Sequence, residues 1–259
     1  MLALDRWAVD RARRLQEEIL EAYDQYLFHL IYQKIHNFCS VDMGSLYLDI
    51  IKDRQYTTPR DSIARRSAQT AMYHILEAMT RWLAPVLSFT AEEIWRNAPG
   101  EHGPSVFLAT WYNGLFAVDD NDPFGATYWE QLLSVREAVS KELEKLRVAG
   151  GIGSGLDAEV DLYCDGALAA DLGKLADELR FFLITSYAQL QPLAARPAEA
   201  VEVQINGQPL AIRVLPSAHA KCVRCWHHRE DVGQNSEHPE LCGRCVENVA
   251  GSGEIRRYA

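Results

Sequence analysis

Long apolar runs are missing from this chain of 259 residues. A membrane-spanning helix needs about 20 consecutive apolar residues. The longest charge-free run of note, 181–195, is shorter and is broken by Gln189, Gln191 and Pro192, so no membrane partner is expected. A secretory leader is equally hard to find, because the first twenty residues carry Asp5, Arg6, Asp10, Arg11, Arg13, Arg14, Glu17 and Glu18 where a leader needs an uncharged apolar core. The expected setting is reducing cytoplasm, in which disulfides are rare. Internal repeats and low-complexity segments are lacking too. So is positive charge: the formal net charge is -10, an unpromising total for a nucleic-acid binder. The deficit is uneven, however. Lys and Arg against Asp and Glu number 12 to 13 in residues 1–100, 8 to 17 in 101–218 and 6 to 6 in 219–259. The acidity is concentrated in the middle, and both ends can still present local positive surface.

Cysteine is scarce, with six in all, yet Cys222, Cys225, Cys242 and Cys245 form two CxxC pairs with sixteen residues between them. Each CxxC turn can point two sulfurs at one ion, and a loop of that length lets the second turn close a tetrahedron with Zn–S bonds of about 2.3 Å. The competing readings are two disulfides or four unrelated core thiols, and a reducing compartment disfavours the first. His227, His228 and His238 lie near the quartet and could replace a thiolate, although four cysteines already fill a structural site. The zinc is expected to be single and structural. A segment this short and polar buries little core, so the metal's apparent binding energy of about 10–16 kcal/mol would supply most of its folding. Cys39 and Cys164 sit in apolar stretches and read as buried structural thiols.

The first hundred residues read as helices. Leu4, Trp7, Ala8, Leu15, Ile19, Ala22, Tyr23 and Tyr26 recur at helical spacing on one stripe. A second run passes through Leu27, Leu30, Ile31, Ile35 and Phe38, and Ser40 is a plausible N-cap for a third helix carrying Leu46, Leu48, Ile50 and Ile51. Pro59 breaks the chain, and Asp61 is placed to cap a long helix to about Trp82. Thr90 and Glu93 fit a capping box for the next helix, which Pro99-Gly100 stops. The expectation is a mainly α fold: an antiparallel helix bundle over 1–100, a small α+β connector module over 101–218, and a zinc-binding tail over 219–259.

Within the middle, residues 105–112 are rich in β-formers, a helix is expected over about 128–147, alternation suggests a strand over 156–164, and 168–183 reads as one helix. Val201, Val203 and Ile205, then Asn206-Gly207, then Leu210, Ile212 and Val214 form a β-hairpin pattern on a preferred turn dipeptide. The glycine-rich 150–155 lacks the Lys-Ser/Thr of a phosphate loop and follows a helix, so it reads as a flexible connector.

Residues 48–56, the following Ala64-Arg65-Arg66-Ser67, and 81–93 with its Trp82, Pro85 and Thr90-Ala91-Glu92-Glu93 closely resemble the anticodon-binding domain of isoleucyl-tRNA synthetases. The tail, with Cys222-Val223-Arg224-Cys225-Trp226 and Cys242-Gly243-Arg244-Cys245, resembles the C-terminal zinc module of the bacterial members. The resemblance covers nearly the whole chain in the family's own order. The His-x-Gly-His and Lys-Met-Ser-Lys-Ser elements that such ligases need for adenylation are not found. The resemblance therefore implies a C-terminal piece of a class I ligase, monomeric and covalently continuous with a catalytic domain that holds ATP and isoleucine. Alone, this piece should not make aminoacyl-tRNA.

The implied role is recognition of the isoleucine tRNA at its anticodon stem-loop, where splayed bases stack on aromatic or guanidinium planes while cations hold phosphates. Trp226, beside Arg224, is placed for stacking worth about 1–3 kcal/mol per base; its other reading is a hydrophobic lid over the metal. Arg224 and Arg244 have the further option of donating to backbone or balancing thiolate charge. Lys52, Arg54, Arg60, Arg65 and Arg66 cluster around the Pro59 break as candidate phosphate contacts, with Asp53 and Asp61 subtracting two charges. The alternative for that cluster is a solvated face with ion pairs worth under about 1 kcal/mol each. A rival function is a stand-alone zinc-finger nucleic-acid binder, either an RNA-binding factor or a module like the finger that closes the formamidopyrimidine-DNA glycosylases. The proline that those glycosylases need after the initiator methionine is here Leu2.

Overall fold

The computed structural model describes residues 1–119 and 121–259. Its front is helical: α1 (Ala3–Asp24), α2 (Phe28–Asn37), a π-helical stretch (Phe38–Tyr47), α3 (Leu48–Thr57), α4 (Ile63–Leu83) and α5 (Ser88–Asn97). The third helix expected from Ser40 has no separate start. α2 runs through the π stretch into α3, and Ser40 Oγ donates back to the His36 carbonyl at 2.8 Å. The wider π turn brings the chain close at Gly44, where a Cβ would stand 2.9 Å from the Cys39 carbonyl oxygen. Cys39 itself is exposed, against expectation, whereas Cys164 is buried.

α1 and α4 meet start to start and end to end. Leu2 N–H donates to Ser67 Oγ at 2.7 Å, while Trp82 Nε1 donates to Gln16 and Tyr23 donates to the Trp82 carbonyl. Ser62 caps α4 by accepting from Arg65 N–H at 3.2 Å, one residue later than the Asp61 expected there. The capping box at Thr90 does not form. After Pro85 the Leu83 carbonyl already accepts from Val86 and Leu87, so α5 starts at Ser88 and Thr90 falls inside it. The acidic residue that works here is Glu92, which takes the Ser105 hydroxyl at 2.8 Å and the Val106 N–H at 3.0 Å.

No sheet forms over 105–112 among the described residues. A single 3-10 turn, Val106–Leu108, leads into extended chain whose carbonyls are taken by helix side chains: Arg81 Nε donates to Thr110 at 2.9 Å and Gln16 Nε2 to Tyr112 at 2.8 Å. Val106 is buried with Ala84, Ala91 and Trp95, whereas Phe107, Leu108 and Trp111 are exposed.

The second half begins with α6 (Ala126–Val148). It is followed by β1 (Ala158–Tyr163), α7 (Gly166–Gly173), α8 (Leu179–Leu183), β2 (Tyr187–Gln191), β3 (Val201–Ile205) and β4 (Gln208–Pro216). Where one helix was expected over 168–183, Ala176 takes φ +47° and a 3-10 turn separates α7 from α8. The sheet order is β2-β1-β4-β3, with β1 parallel to β2 and β4 antiparallel to both β1 and β3. The hairpin turns on Asn206 at φ +50° and Gly207 at φ +79°, the left-handed pair that this dipeptide supplies at little strain. One buried cluster runs from Leu4 and Trp82 through Trp129 and Phe182 to Leu162 and Ile212, so helices and sheet share a core. The tail carries β5 (Ala220–Lys221), β6 (His228–Arg229) and α9 (Gly243–Ala250). No helix of the described residues is long and apolar enough to cross a membrane.

Candidate metal centre and nucleic-acid interface

The β5–β6 hairpin presents the first cysteine pair. Cys222 N–H donates to the His227 carbonyl at 2.9 Å and Trp226 N–H to the Cys222 carbonyl at 2.9 Å, closing a tight knuckle. Trp226 closes that knuckle in a left-handed conformation, φ +66°, with 60% of its surface exposed. The second pair sits at the start of α9, Cys242 as the cap residue and Cys245 in the first turn, where the free amides and helix dipole favour thiolate.

All four sulfurs lie within 4.8 Å of one another and all four residues are buried. The Cys225–Cys242 sulfur separation is 3.7 Å, against the edge of about 3.8 Å in a tetrahedron built on Zn–S bonds of about 2.3 Å. The remaining core of the tail is small, with Val232 and Leu241 packed on the sulfurs. Packed this closely, four sulfurs ionise together only around a cation. The histidines are not part of the cluster: His227 packs edge-on to Phe181 and His228 Nδ1 meets the His219 carbonyl at 2.7 Å.

Two arginines that the sequence suggested as RNA contacts are turned inward. Arg54 is 0% exposed and makes a two-pronged bond to Asp5, itself 0% exposed, at 2.5 and 2.8 Å, and reaches the Ala64 carbonyl at 3.1 Å. Tyr47 and Ser67 donate to the same carboxylate. A guanidinium committed to this buried network does not reach a phosphate. Arg244 grips Asp53 through both nitrogens at 2.8 Å and Glu254 at 2.9 Å, with 12% of its side chain exposed. Arg256, which the sequence did not single out, joins the same two carboxylates. Burial works to raise the Asp53 carboxyl, but Arg244 and Arg256 outweigh it and hold it below the ordinary range. Asp53 therefore does more than subtract charge: it fastens the tail to α3. No signal within 30 residues of Asp53 announces partners 191 and 203 positions away.

The other candidates face outward to varying degrees. Lys52 is exposed at the ion pair it makes with Asp49, 2.8 Å away. Arg60 and Arg66 are exposed and Arg65 is half-buried. Arg224 spans the joint, donating to the Thr57 carbonyl at 2.6 Å with Cys245 Sγ at 3.9 Å, so one of its alternative roles, backbone donation, is realised. Between α3 and the knuckle lies a largely apolar cavity of about 280 Å³, lined by Tyr56, Phe181, Ile184 and Trp226, with Lys52 and Arg224 at its polar edge. Tyr56 is 78% exposed. The sequence does not single it out as an RNA contact, although its place in the last turn of α3, amid the basic cluster, is a signal for one.

The family model described as the anticodon-binding domain of tRNA ligase matches residues 5–162, and the one described as the zinc finger found in FPG and IleRS matches 221–248. The chain is 64% identical over its whole length to an isoleucine–tRNA ligase of Thioalkalivibrio sulfidiphilus, 63% to one of Nitrosococcus oceani and 60% to one of Methylococcus capsulatus. It spans 28% of the first of these and 27% of the other two. The finger match and the thiolate tetrahedron together assign a structural zinc to Cys222, Cys225, Cys242 and Cys245. With α2 to α6 inside the longer match and the four cysteines inside the shorter one, the chain belongs to the anticodon-binding family of tRNA ligases.

Proposed function

We propose that the chain is the C-terminal, tRNA-reading part of an isoleucine–tRNA ligase, and that the end of α3 and the zinc knuckle form one face for the anticodon stem-loop. The observation that carries the reading is the cavity between them, where two exposed aromatics, Tyr56 and Trp226, flank an apolar floor with Lys52 and Arg224 at the edge. Such a site suits an unstacked base held on its π-face while cations meet the flanking phosphates. Lys52, Arg60, Arg65 and Arg66 on and beyond α3 take the phosphate role, and Arg224 with Trp226 the base-proximal one. Arg54 and Arg244 serve the face indirectly, by fixing α3 and the tail.

On this reading 1–100 is the helical anticodon-binding domain, 101–218 the connector and 219–259 the zinc tail. The helical runs of the front, α1, then α2 through α3, then α4, alternate in direction as an antiparallel bundle, which the Lys34–Glu18 and Arg11–Asp42 pairs support for the first two. The whole enzyme would join isoleucine to its tRNA with ATP, as a cytoplasmic monomer, and the ATP and amino-acid sites would lie in the covalently continuous remainder. This part is inactive alone. A stand-alone DNA- or RNA-binding finger is the weaker alternative, because a glycosylase-type finger does not account for the match over 5–162. Filter binding with isoleucine tRNA, a methionine tRNA and duplex DNA tests the choice. Preference for the first is expected, and equal retention of all three defeats the proposal.

A further inference from the structure

A second, solvent-open cavity of about 490 Å³ shares Phe181 with the first and is bounded by 175–178, Arg180, Arg229, Arg244 and 254–258. Its positive charge is not matched. Glu178 is buried and satisfied by the N–H groups of Arg257, Tyr258 and Ala259 at 2.7–2.8 Å. Arg244 and Arg256 are paired with Glu254 and Asp53, two guanidiniums to two carboxylates. Arg180 and Arg229 remain. Arg229 lies over the Tyr187 ring, and among the described residues its guanidinium has only the Ser186 carbonyl at 3.4 Å.

Arg180 is 7% exposed, and its enclosed Nε and Nη1 have no hydrogen-bond partner among the described residues. Its guanidinium stands 3.9 Å from the centre of the Phe181 ring, which Arg256 and Arg244 also approach. Burial first, and then repulsion from Arg244, Arg229 and Arg256, pushes its pKa down to about 10. Buried guanidinium donors are rarely left unpaired, and a planar fork of N–H groups is the geometry that meets phosphate oxygens in pairs. Exposed Asp177 at the rim has no cation paired with it among the described residues, and Glu178 in the wall is met by backbone N–H groups alone.

We propose that this cavity binds a phosphate group, with Arg180 as the buried anchor and Arg229 and exposed Arg257 at the mouth. The phosphate is either free inorganic phosphate or a phosphodiester of bound RNA, and the two share the same oxyanion chemistry. The site goes beyond the tRNA reading and stands without it.

The test is an NMR titration of the zinc-loaded chain with inorganic phosphate, following the arginine Nε–H resonances. A saturable shift at Arg180 is expected in the wild type. It should weaken at least tenfold in Arg180→Met at unchanged zinc content, and several-fold in Arg229→Gln if the first variant does not fold. Asp177→Asn should bind phosphate more tightly. Repeating the titration with anticodon stem-loop RNA present separates the sources. If RNA is the source, it blocks the phosphate shift, and Arg180→Met lowers the slope of log affinity against log salt by about 0.7–0.9. If phosphate is taken up free, RNA leaves the shift intact. Failure of any RNA to bind would count against the tRNA reading but not this site. No saturable shift at millimolar phosphate, or the same shift in wild type and Arg180→Met, overturns it.

Discussion

Arg54 shows how burial decides what a charged side chain is for. Its pair with Asp5 is wholly enclosed, and removing one partner of such a pair leaves an uncompensated interior charge. Asp5→Ala is therefore expected to cost about 3–5 kcal/mol in urea unfolding; a loss under about 1 kcal/mol would place the pair among surface ion pairs. Trp226 is the opposite case. It is exposed, held in left-handed backbone by the knuckle, and free to stack. Trp226→Ala should weaken stem-loop binding by about 1–3 kcal/mol with zinc content unchanged. If affinity is unaltered, the side chain is only a lid. In the sequence these two residues looked alike, both candidates for RNA. The basic cluster around Pro59 is a one-dimensional pattern, and the acidic partner that pulls Arg54 inside lies 49 residues earlier in another helix. Lys52, Arg60 and Arg66 carry no such partner and stay outside.

Among the elements, the zinc tail is held by three sets of contacts. The thiolates fold it, and the Asp53–Arg244–Glu254–Arg256 quartet locks it to α3. Cys242→Ser should lower zinc content and raise amide exchange across 219–259 while α1 to α5 keep their protection. Unchanged zinc and exchange would contradict the thiolate account. A third tether is Asp157, which accepts from Ser154 N–H at 2.8 Å and meets Lys221 at 3.2 Å and His228 at 3.3 Å. Burial is the largest single influence and would raise its carboxyl, but the bonds from Ser154 and Lys221 together hold it down to about 2. A carboxyl depressed in the folded state stabilises above its ordinary value of about 3.9. That contribution is lost as pH falls from about 4 towards about 2. The stability difference between wild type and Asp157→Asn should shrink across that window; a difference independent of pH would show that the tether is not ionic.

Elements with a strong period or a local turn signal were legible: α1, α4, α6, the Asn206-Gly207 hairpin and the cysteine quartet. The misread ones depend on partners. In 105–112 a 3-10 turn replaces the expected strand and Arg81 and Gln16 take the Thr110 and Tyr112 carbonyls, and 168–183 breaks at Ala176 where periodicity gave no warning.

At the scale of the whole molecule, the cavity between α3 and the knuckle is assembled from 49–57, Leu156, Phe181, Ile184 and 224–227. Its parts could be guessed from the sequence but not their meeting, since the sulfur tetrahedron is a local pattern whereas its docking rests on Asp53 and Arg256, 203 residues apart. The central claim is that zinc makes the RNA face by folding the tail that Asp53 holds on α3. The most direct measurement is the affinity of the chain for isoleucine tRNA before and after zinc is extracted with a chelator, with α1–α5 helicity followed by circular dichroism. The account predicts at least a tenfold loss of affinity with helicity retained, restored on adding zinc back. Full affinity in the zinc-free chain would contradict it.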